Sequence, residues 1–144
     1  MIEIVRAWPG SAALGTCFSI RMAVFVHEQG VPVDEEMDAH DATAVHVLAL
    51  WDGNPVGTAR AVSKDPGVQK IGRVAVAAKF RKHGIGKALM RGIEAQCPAG
   101  SAFVLAAQSR VTGFYEKLGY EAEGPEFLDA GIPHRLMRKP ASAP

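Results

Sequence analysis

The stretch Val74-Ala75-Val76-Ala77-Ala78-Lys79-Phe80-Arg81-Lys82-His83-Gly84-Ile85-Gly86-Lys87-Ala88-Leu89-Met90 decides the fold, because its character changes twice. It begins as an apolar alternation, crosses a short basic segment with two glycines, and ends in helical periodicity. That reads as a strand, a tight turn and a helix N-terminus. Gly84-Ile85-Gly86-Lys87 lets backbone N–H groups approach a bound group closely. The first N–H groups of a helix lack intrahelical partners and carry partial positive charge, so they favour an anion. Arg81, Lys82, His83 and Lys87 add basic side chains at the same point. The outline is a phosphate or pyrophosphate cradle, and the spacing alone also suits a plain strand–helix turn with solvated basic residues. A Walker A loop needs Gly at Arg81 and Ser or Thr at Ala88, and a G-x-G-x-x-G fingerprint needs Gly at Leu89, so both are excluded.

Outward from this stretch, strands and helices alternate. Residues 2–8 read as a strand stopped by Pro9-Gly10, and Ser11 as the cap of a helix reaching about Val26, with Leu14, Phe18, Met22 and Phe25 on its apolar face. Gly30 and Pro32 end helical order, and the acidic run from Asp34 to Asp41 reads as a solvated loop. Strands at 43–51 and 55–62 are joined by the hairpin turn Asp52-Gly53-Asn54, and a polar connection at 63–68 leads into a strand at 69–77. The helix after the cradle carries Ile85, Ala88, Leu89, Ile93 and Cys97 and stops at Pro98. A buried strand at 102–107, a helix at 109–118 ended by Gly119, and strands at 120–127 and 135–139 follow.

The 144 residues are 48% hydrophobic and 22% charged with formal net charge +1, which suits one domain over 1–139 followed by a short disordered tail, 140–144. Near-neutral charge without a Lys/Arg run argues against nucleic acid. No apolar run reaches the roughly 20 residues of a membrane span, and the N-terminus does not pattern as an export signal. Cys17 and Cys97 form no C-x-x-C pair and read as free core thiols. A cytoplasmic protein is expected.

Arg81-x-x-Gly84-x-Gly86, preceded by Val74-Ala75-Val76, resembles the acyl-CoA signature of the GNAT N-acetyltransferase superfamily. A second segment, Gln108-Ser-Arg-Val-Thr-Gly-Phe114-Tyr115-Glu-Lys-Leu-Gly-Tyr120, resembles the family's N-x-x-A-x-x-F-Y-x-K-L-G-F helix, in the right order and at the right distance. The resemblance covers nearly the whole chain. It implies an α/β GNAT fold: a mixed, mostly antiparallel central sheet of about seven strands flanked by about four helices. It further implies acetyl-CoA as co-substrate, no metal, and dimers through paired sheet edges as a common arrangement.

Carried over residue by residue, the resemblance assigns cofactor binding to Val74, Ala75 and Val76, to Arg81, Lys82, His83, Gly84, Ile85, Gly86 and Lys87, and to Gln108 and Phe114. The backbone N–H groups of Val74 and Val76 would meet the pantetheine arm and the thioester carbonyl, where a fixed donor stabilises developing charge. Gln108 stands where the family often has Asn, and Gly113 is read as leaving room for the cofactor. Tyr115 is the family's candidate beside the leaving sulfur, its alternative being a core aromatic. A phenol with a pKa of about 10 protonating a thiolate near about 8.5 is uphill by roughly 2 kcal/mol, so a hydrogen bond to the developing thiolate suits it better than full proton donation.

On the acceptor side, Val24-Phe-Val-His-Glu28-Gln29-Gly-Val-Pro32 and Gly131-Ile-Pro-His134 resemble segments of a poorly characterised bacterial GNAT subgroup. A primary amine holds its proton at pH 7 by about 4.6 kcal/mol, so a base must help. Glu28, His46 and His134 are the candidates, in that order, each with a structural hydrogen bond or a solvated position as its alternative. His40, Asp41 and His46 do not make a metal ligand set. The acidic run could also attract a cationic acceptor. The reading is direct acetyl transfer to a primary amine of a small molecule or peptide; its rival is a non-catalytic acyl-CoA-binding regulatory module.

Overall fold

The computed structural model describes residues 1–141; the tail expected at 140–144 falls mostly outside the described residues. Seven strands form a single sheet in the order β1-β2-β3-β4-β5-β7-β6. They are β1 (Ile2–Ala7), β2 (Val45–Trp51), β3 (Asn54–Asp65), β4 (Val68–Val76), β5 (Ala102–Gln108), β6 (Glu121–Asp129) and β7 (Ile132–Lys139). All neighbours are antiparallel except β4 and β5, which run parallel. Four α-helices, α1 (Ala12–Arg21), α2 (Val33–Glu36), α3 (Ile85–Gln96) and α4 (Thr112–Glu116), accompany the sheet. The mixed, mostly antiparallel α/β architecture is as expected from the sequence. No helix among the described residues is long and apolar enough to cross a membrane.

Helix α3 builds the larger core. Ile85, Leu89, Met90 and Ile93 recur at helical spacing and are all buried in one cluster with residues of β2, β3, β4 and β5 and Met137 of β7. Each such side chain contributes roughly 1.5–3 kcal/mol of burial. Two glycines let the helix lie this close. A Cβ on Gly57 would stand 2.8 Å from Leu89 Cδ1, and one on Gly92 would stand 2.5 Å from Ile4 Cγ2. On the other face, α1 covers the sheet with Leu14 and Cys17 against Ala7 and Leu48. Ser11 caps α1 as expected, its Oγ accepting from the Leu14 N–H at 3.2 Å.

Four local expectations need correction. The helix expected to run to about Val26 changes at Met22 into a π-helical turn, Met22–Glu28, closed by Gln29 N–H to the Val24 carbonyl and Val31 N–H to the Phe25 carbonyl. Leu14 is buried as expected, but Cys17, Arg21 and Val24 complete the buried face in place of Phe18, Met22 and Phe25. The connection expected at 63–68 is a tight hairpin, because β3 continues to Asp65 and turns at Pro66-Gly67. The loop expected at 128–134 is also a hairpin, its tip made by Ala130 and Gly131 at φ +51° and +77°. Finally, the acidic run is not a solvated loop: Glu36 and Asp41 are buried on α2 and the 3₁₀ turn Ala39–Ala42.

Gly92→Ala is expected to destabilise the protein by about 1–2 kcal/mol despite alanine's better helix propensity, because Ile4 is held in β1 by its pairing with β2 and must move. Urea unfolding of the variant measures this, and an unchanged midpoint would contradict the packing described.

Candidate active site

Parallel pairing of β4 with β5 covers Val68–Ile71 against Ala102–Leu105 and then stops. Arg73 at φ +53° lies in an irregularity of the β3–β4 register, and beyond it Gly72–Val76 diverges from Ala106–Gln108. A cavity of about 790 Å³ fills the gap. In a strand the N–H and C=O of one residue leave by the same edge. The Val76 carbonyl accepts from Arg81 Nε at 3.0 Å, so Val76, and Val74 two residues earlier, present their N–H groups to the open side.

The turn from β4 into α3 forms the end of the cavity. Lys82 at φ +68° and Gly84 at φ +80° wrap the chain around the helix N-terminus. Gly84 is the N-cap and offers no side-chain cap, so the first N–H groups of α3 are left for water or an anion. Gly86 faces the ring of Phe114, to which an added Cβ would come within 3.2 Å. A Cβ on Gly113 would meet nothing within 4 Å, so this position borders open space. Lys82, Lys87, Ile85, Ala75, Gln108 and Phe114 all line the cavity. His83 does not: its ring turns away and packs edge-on against Trp51 at 5.0 Å.

Tyr115 also lines the cavity, beside Phe114 at 4.9 Å and Tyr120 at 6.1 Å. Burial among these rings pushes its hydroxyl up to about 12. His134 lines the cavity too, stacked on Phe127. Its Nδ1 lies 2.6 Å from the Ile132 carbonyl, a contact that requires the proton on Nδ1 and leaves the lone pair of the neutral ring on Nε2.

The other two base candidates stand elsewhere. Glu28 is on the rim, and the bidentate hydrogen bonds from Arg81 hold its carboxyl below the usual range. His46 is on β2, outside the cavity. It is buried against Phe18, with Nε2 at 3.0 Å from the Asp41 carbonyl, and burial pushes its pKa down.

The family description "Acetyltransferase (GNAT) domain" matches residues 15–141. The chain belongs to the GNAT acetyltransferase family. A Bacillus subtilis protein, itself named only provisionally as an acetyltransferase, is 43% identical over 131 residues, 88% of each chain. An acyl-CoA N-acyltransferase from Pseudomonas aeruginosa of solved structure is 27% identical, with a TM-score of 0.84 over 96% of this chain and 99% of that one. A GNAT acetyltransferase from Elizabethkingia anophelis, solved with acetyl-CoA bound, shares the fold at 18% identity, with a TM-score of 0.72 over 96% of this chain and 97% of that one.

In this GNAT chain the remaining walls of the cavity come mainly from the two segments singled out in the sequence, 24–32 and 131–134. Val24 and Phe25 of the π-helical segment and Val31 just beyond it form one wall, with Ile132 and Asp129 of the β6–β7 hairpin also lining the cavity. Behind them the acidic run is neutralised. Arg21 Nε donates to Glu36 at 2.6 Å and its Nη1 to Asp41 at 2.7 Å; Arg60 Nη1 donates to Asp38 at 2.7 Å and to Asp41 at 2.8 Å. Arg73 reaches Glu36 and Asp38 at 3.1 and 3.2 Å. Hydrogen bonds from Arg60 hold the Asp38 carboxyl far below the usual carboxylate range. Burial alone would raise Asp41, but its bonds to Arg21 and Arg60 outweigh that and lower it. These carboxylates are therefore not free to draw in a cationic acceptor; Arg21 on a buried helix face and Arg60 within an apolar strand were the available sequence signals.

Removing Arg21 would leave Glu36 and Asp41 buried without their main partner, so Arg21→Ala is expected to cost about 3–5 kcal/mol in chemical denaturation. The folded pKa values of Asp38 and Asp41 lie below their unfolded ones, so their stabilisation is present above about pH 4–5 and declines as the pH falls through the folded values. Stability measured from pH 7 down to pH 3 should fall in wild type; a flat profile would contradict the network.

Proposed function

We propose that this GNAT protein is an acetyl-CoA-dependent N-acetyltransferase that moves an acetyl group directly onto a primary amine of a small molecule or peptide in a ternary complex. The observation that carries the reading is the cleft between β4 and β5, with open strand N–H groups along one side and an uncapped helix N-terminus at its end. Such a cleft suits a thin arm ending in a diphosphate, and acetyl-CoA is the molecule bound in the Elizabethkingia neighbour. Lys82, Gly84, Ile85, Gly86 and Lys87 would hold the pyrophosphate mainly through backbone N–H groups. Val74 and Val76 would meet the arm and the thioester carbonyl.

The amine nitrogen forms the new C–N bond at that carbonyl, the C–S bond breaks, and coenzyme A leaves as a thiolate. The proton lost by the amine goes to a base. His134 suits this role best, since its ring lines the cavity and its Nδ1–H is taken up by the Ile132 carbonyl, which leaves Nε2 as the position that can accept a proton. Glu28 is committed to Arg81, and His46 is buried outside the cavity, so both are read as structural. Tyr115 would donate a hydrogen bond to the leaving thiolate. With its pKa near 12, full proton transfer to a thiolate of about 8.5 would be uphill by about 5 kcal/mol, more than for an ordinary phenol. The buried free thiols Cys17 and Cys97 agree with a reducing, cytoplasmic setting.

The direct test is thermal unfolding with acetyl-CoA, CoA, ATP and NAD in parallel, on wild type and on a Gly84→Glu, Gly86→Glu double variant. A ligand at about a hundred times its Kd adds about 2.7 kcal/mol to the native state, which moves the midpoint by several degrees. The two coenzyme A species alone should do so, and only in wild type; a shift with ATP or NAD, or none, would overturn the reading. Tight coenzyme A binding with no thiol release across an amine panel would favour the regulatory module. Once an acceptor is found, Tyr115→Phe should lower kcat by about 10–100-fold with little change in the KM for acetyl-CoA. Wild-type activity should also show no loss up to pH 10 that the variant lacks, because the hydroxyl stays protonated there.

A further inference from the structure

Glu28 and Gln29 are consecutive, yet they bond to opposite lips of the cleft. Glu28 accepts from Arg81 Nη1 at 2.6 Å and Nη2 at 2.7 Å, and Arg81 Nε is anchored on the carbonyl of Val76, the last residue of β4. Gln29 Oε1 accepts from Nε2 of Gln108, the last residue of β5, at 3.0 Å. Arg110 donates to Gln108 Oε1 at 2.9 Å and 3.1 Å, which fixes the amide so that Nε2 turns to Gln29. Both links lie beyond Ile71–Leu105, the last residue pair that joins the two strands. The two side chains can diverge because neighbours on a helical turn point roughly 100° apart.

We propose that Glu28-Gln29 is a strap across the cleft: two positioning residues that set the separation of β4 and β5 and tie both lips to the acceptor wall of Val24, Phe25 and Val31. The strap is a property of the chain alone; its consequence for a ligand rests on the coenzyme A reading above. Through it, the strand ends that would hold the pantetheine arm and the wall that would hold the acceptor keep one fixed relation. Arg81 then acts as an anchor of the cradle turn through Val76 and Glu28, with its guanidinium already engaged before any phosphate arrives. Exposed ion pairs add little to global stability, so the strap's effect is local to the cleft.

Amide hydrogen exchange of ligand-free wild type, Glu28→Ala, Gln29→Ala and the double variant tests the strap directly, with coenzyme A titrations in parallel. Peptides covering 22–31, 72–76 and 106–110 should exchange about tenfold faster in the double variant, with α3 and the thermal midpoint unchanged. Coenzyme A should bind about tenfold more weakly to it, and adding Arg81→Ala to Glu28→Ala should weaken binding no further. Unchanged exchange in the ligand-free variants would overturn the strap whatever coenzyme A does. Tighter coenzyme A binding by Glu28→Ala would also overturn it, by showing Arg81 to be a phosphate ligand that Glu28 restrains. A wild type that binds no coenzyme A would overturn the cofactor reading, and the exchange data would still decide the strap.

Discussion

Four residue pairs of parallel ladder hold β4 to β5, and the cleft between these strands depends on their ending at Ile71 and Leu105. Had the ladder continued, Gly72–Val76 would spend their hydrogen-bonding groups on the neighbouring strand, and the sheet would close. The left-handed conformation of Arg73, unusual for a side chain other than glycine, sits where the strands begin to part. The same guanidinium reaches the Glu36 and Asp38 carboxylates, so contacts outside the strand hold the residue in that conformation. Local backbone cost and tertiary ion pairing meet at one side chain.

The ionic cluster behind Val24, Phe25 and Val31 explains how a short, polar segment can cover part of a sheet. Residues 33–42 contribute few apolar side chains, so burial alone would not fix them. Instead three guanidiniums from α1, β3 and β4 receive three carboxylates, and Asp38 and Asp41 also cap the 3₁₀ turn on which they lie. Charge pairs of this kind confer geometry more dependably than net stability, because desolvation offsets much of the attraction. For a segment that walls a cavity, geometry is the useful quantity.

The fold was legible in the sequence wherever the signal is local. The glycines and basic residues at 81–87 marked the turn into α3, the 3.6-residue spacing from Ile85 to Ile93 marked that helix, and Ser11 marked the cap of α1. The cavity lining was legible where one stretch supplies it, as with Val74–Val76 and Tyr115. Reading failed where partners come from afar. Nothing near Asp34–Asp41 announces that Arg21, Arg60 and Arg73 will arrive to neutralise it, so the run looked solvated. His46 looked available because its alternation in β2 does not reveal which face α1 covers. Glu28 looked like a base because its commitment to Arg81 spans 53 positions of sequence. The π-helical turn escaped as well, since one widened turn leaves the apolar spacing nearly intact.

The sheet ends on β6, all nine of whose residues are exposed, with only β7 beside it. A free strand edge is a template for any other extended chain. Here Glu121, Glu123 and Glu126 line it with like charge, Pro125 removes a donor, and the irregular register between Glu123 and Phe127 bends it away from straightness. A crowded solution of this protein is thus guarded against runaway edge-to-edge stacking, and the exposed Phe127, Leu128 and Leu136 are left as separate apolar spots on an otherwise well-protected rim.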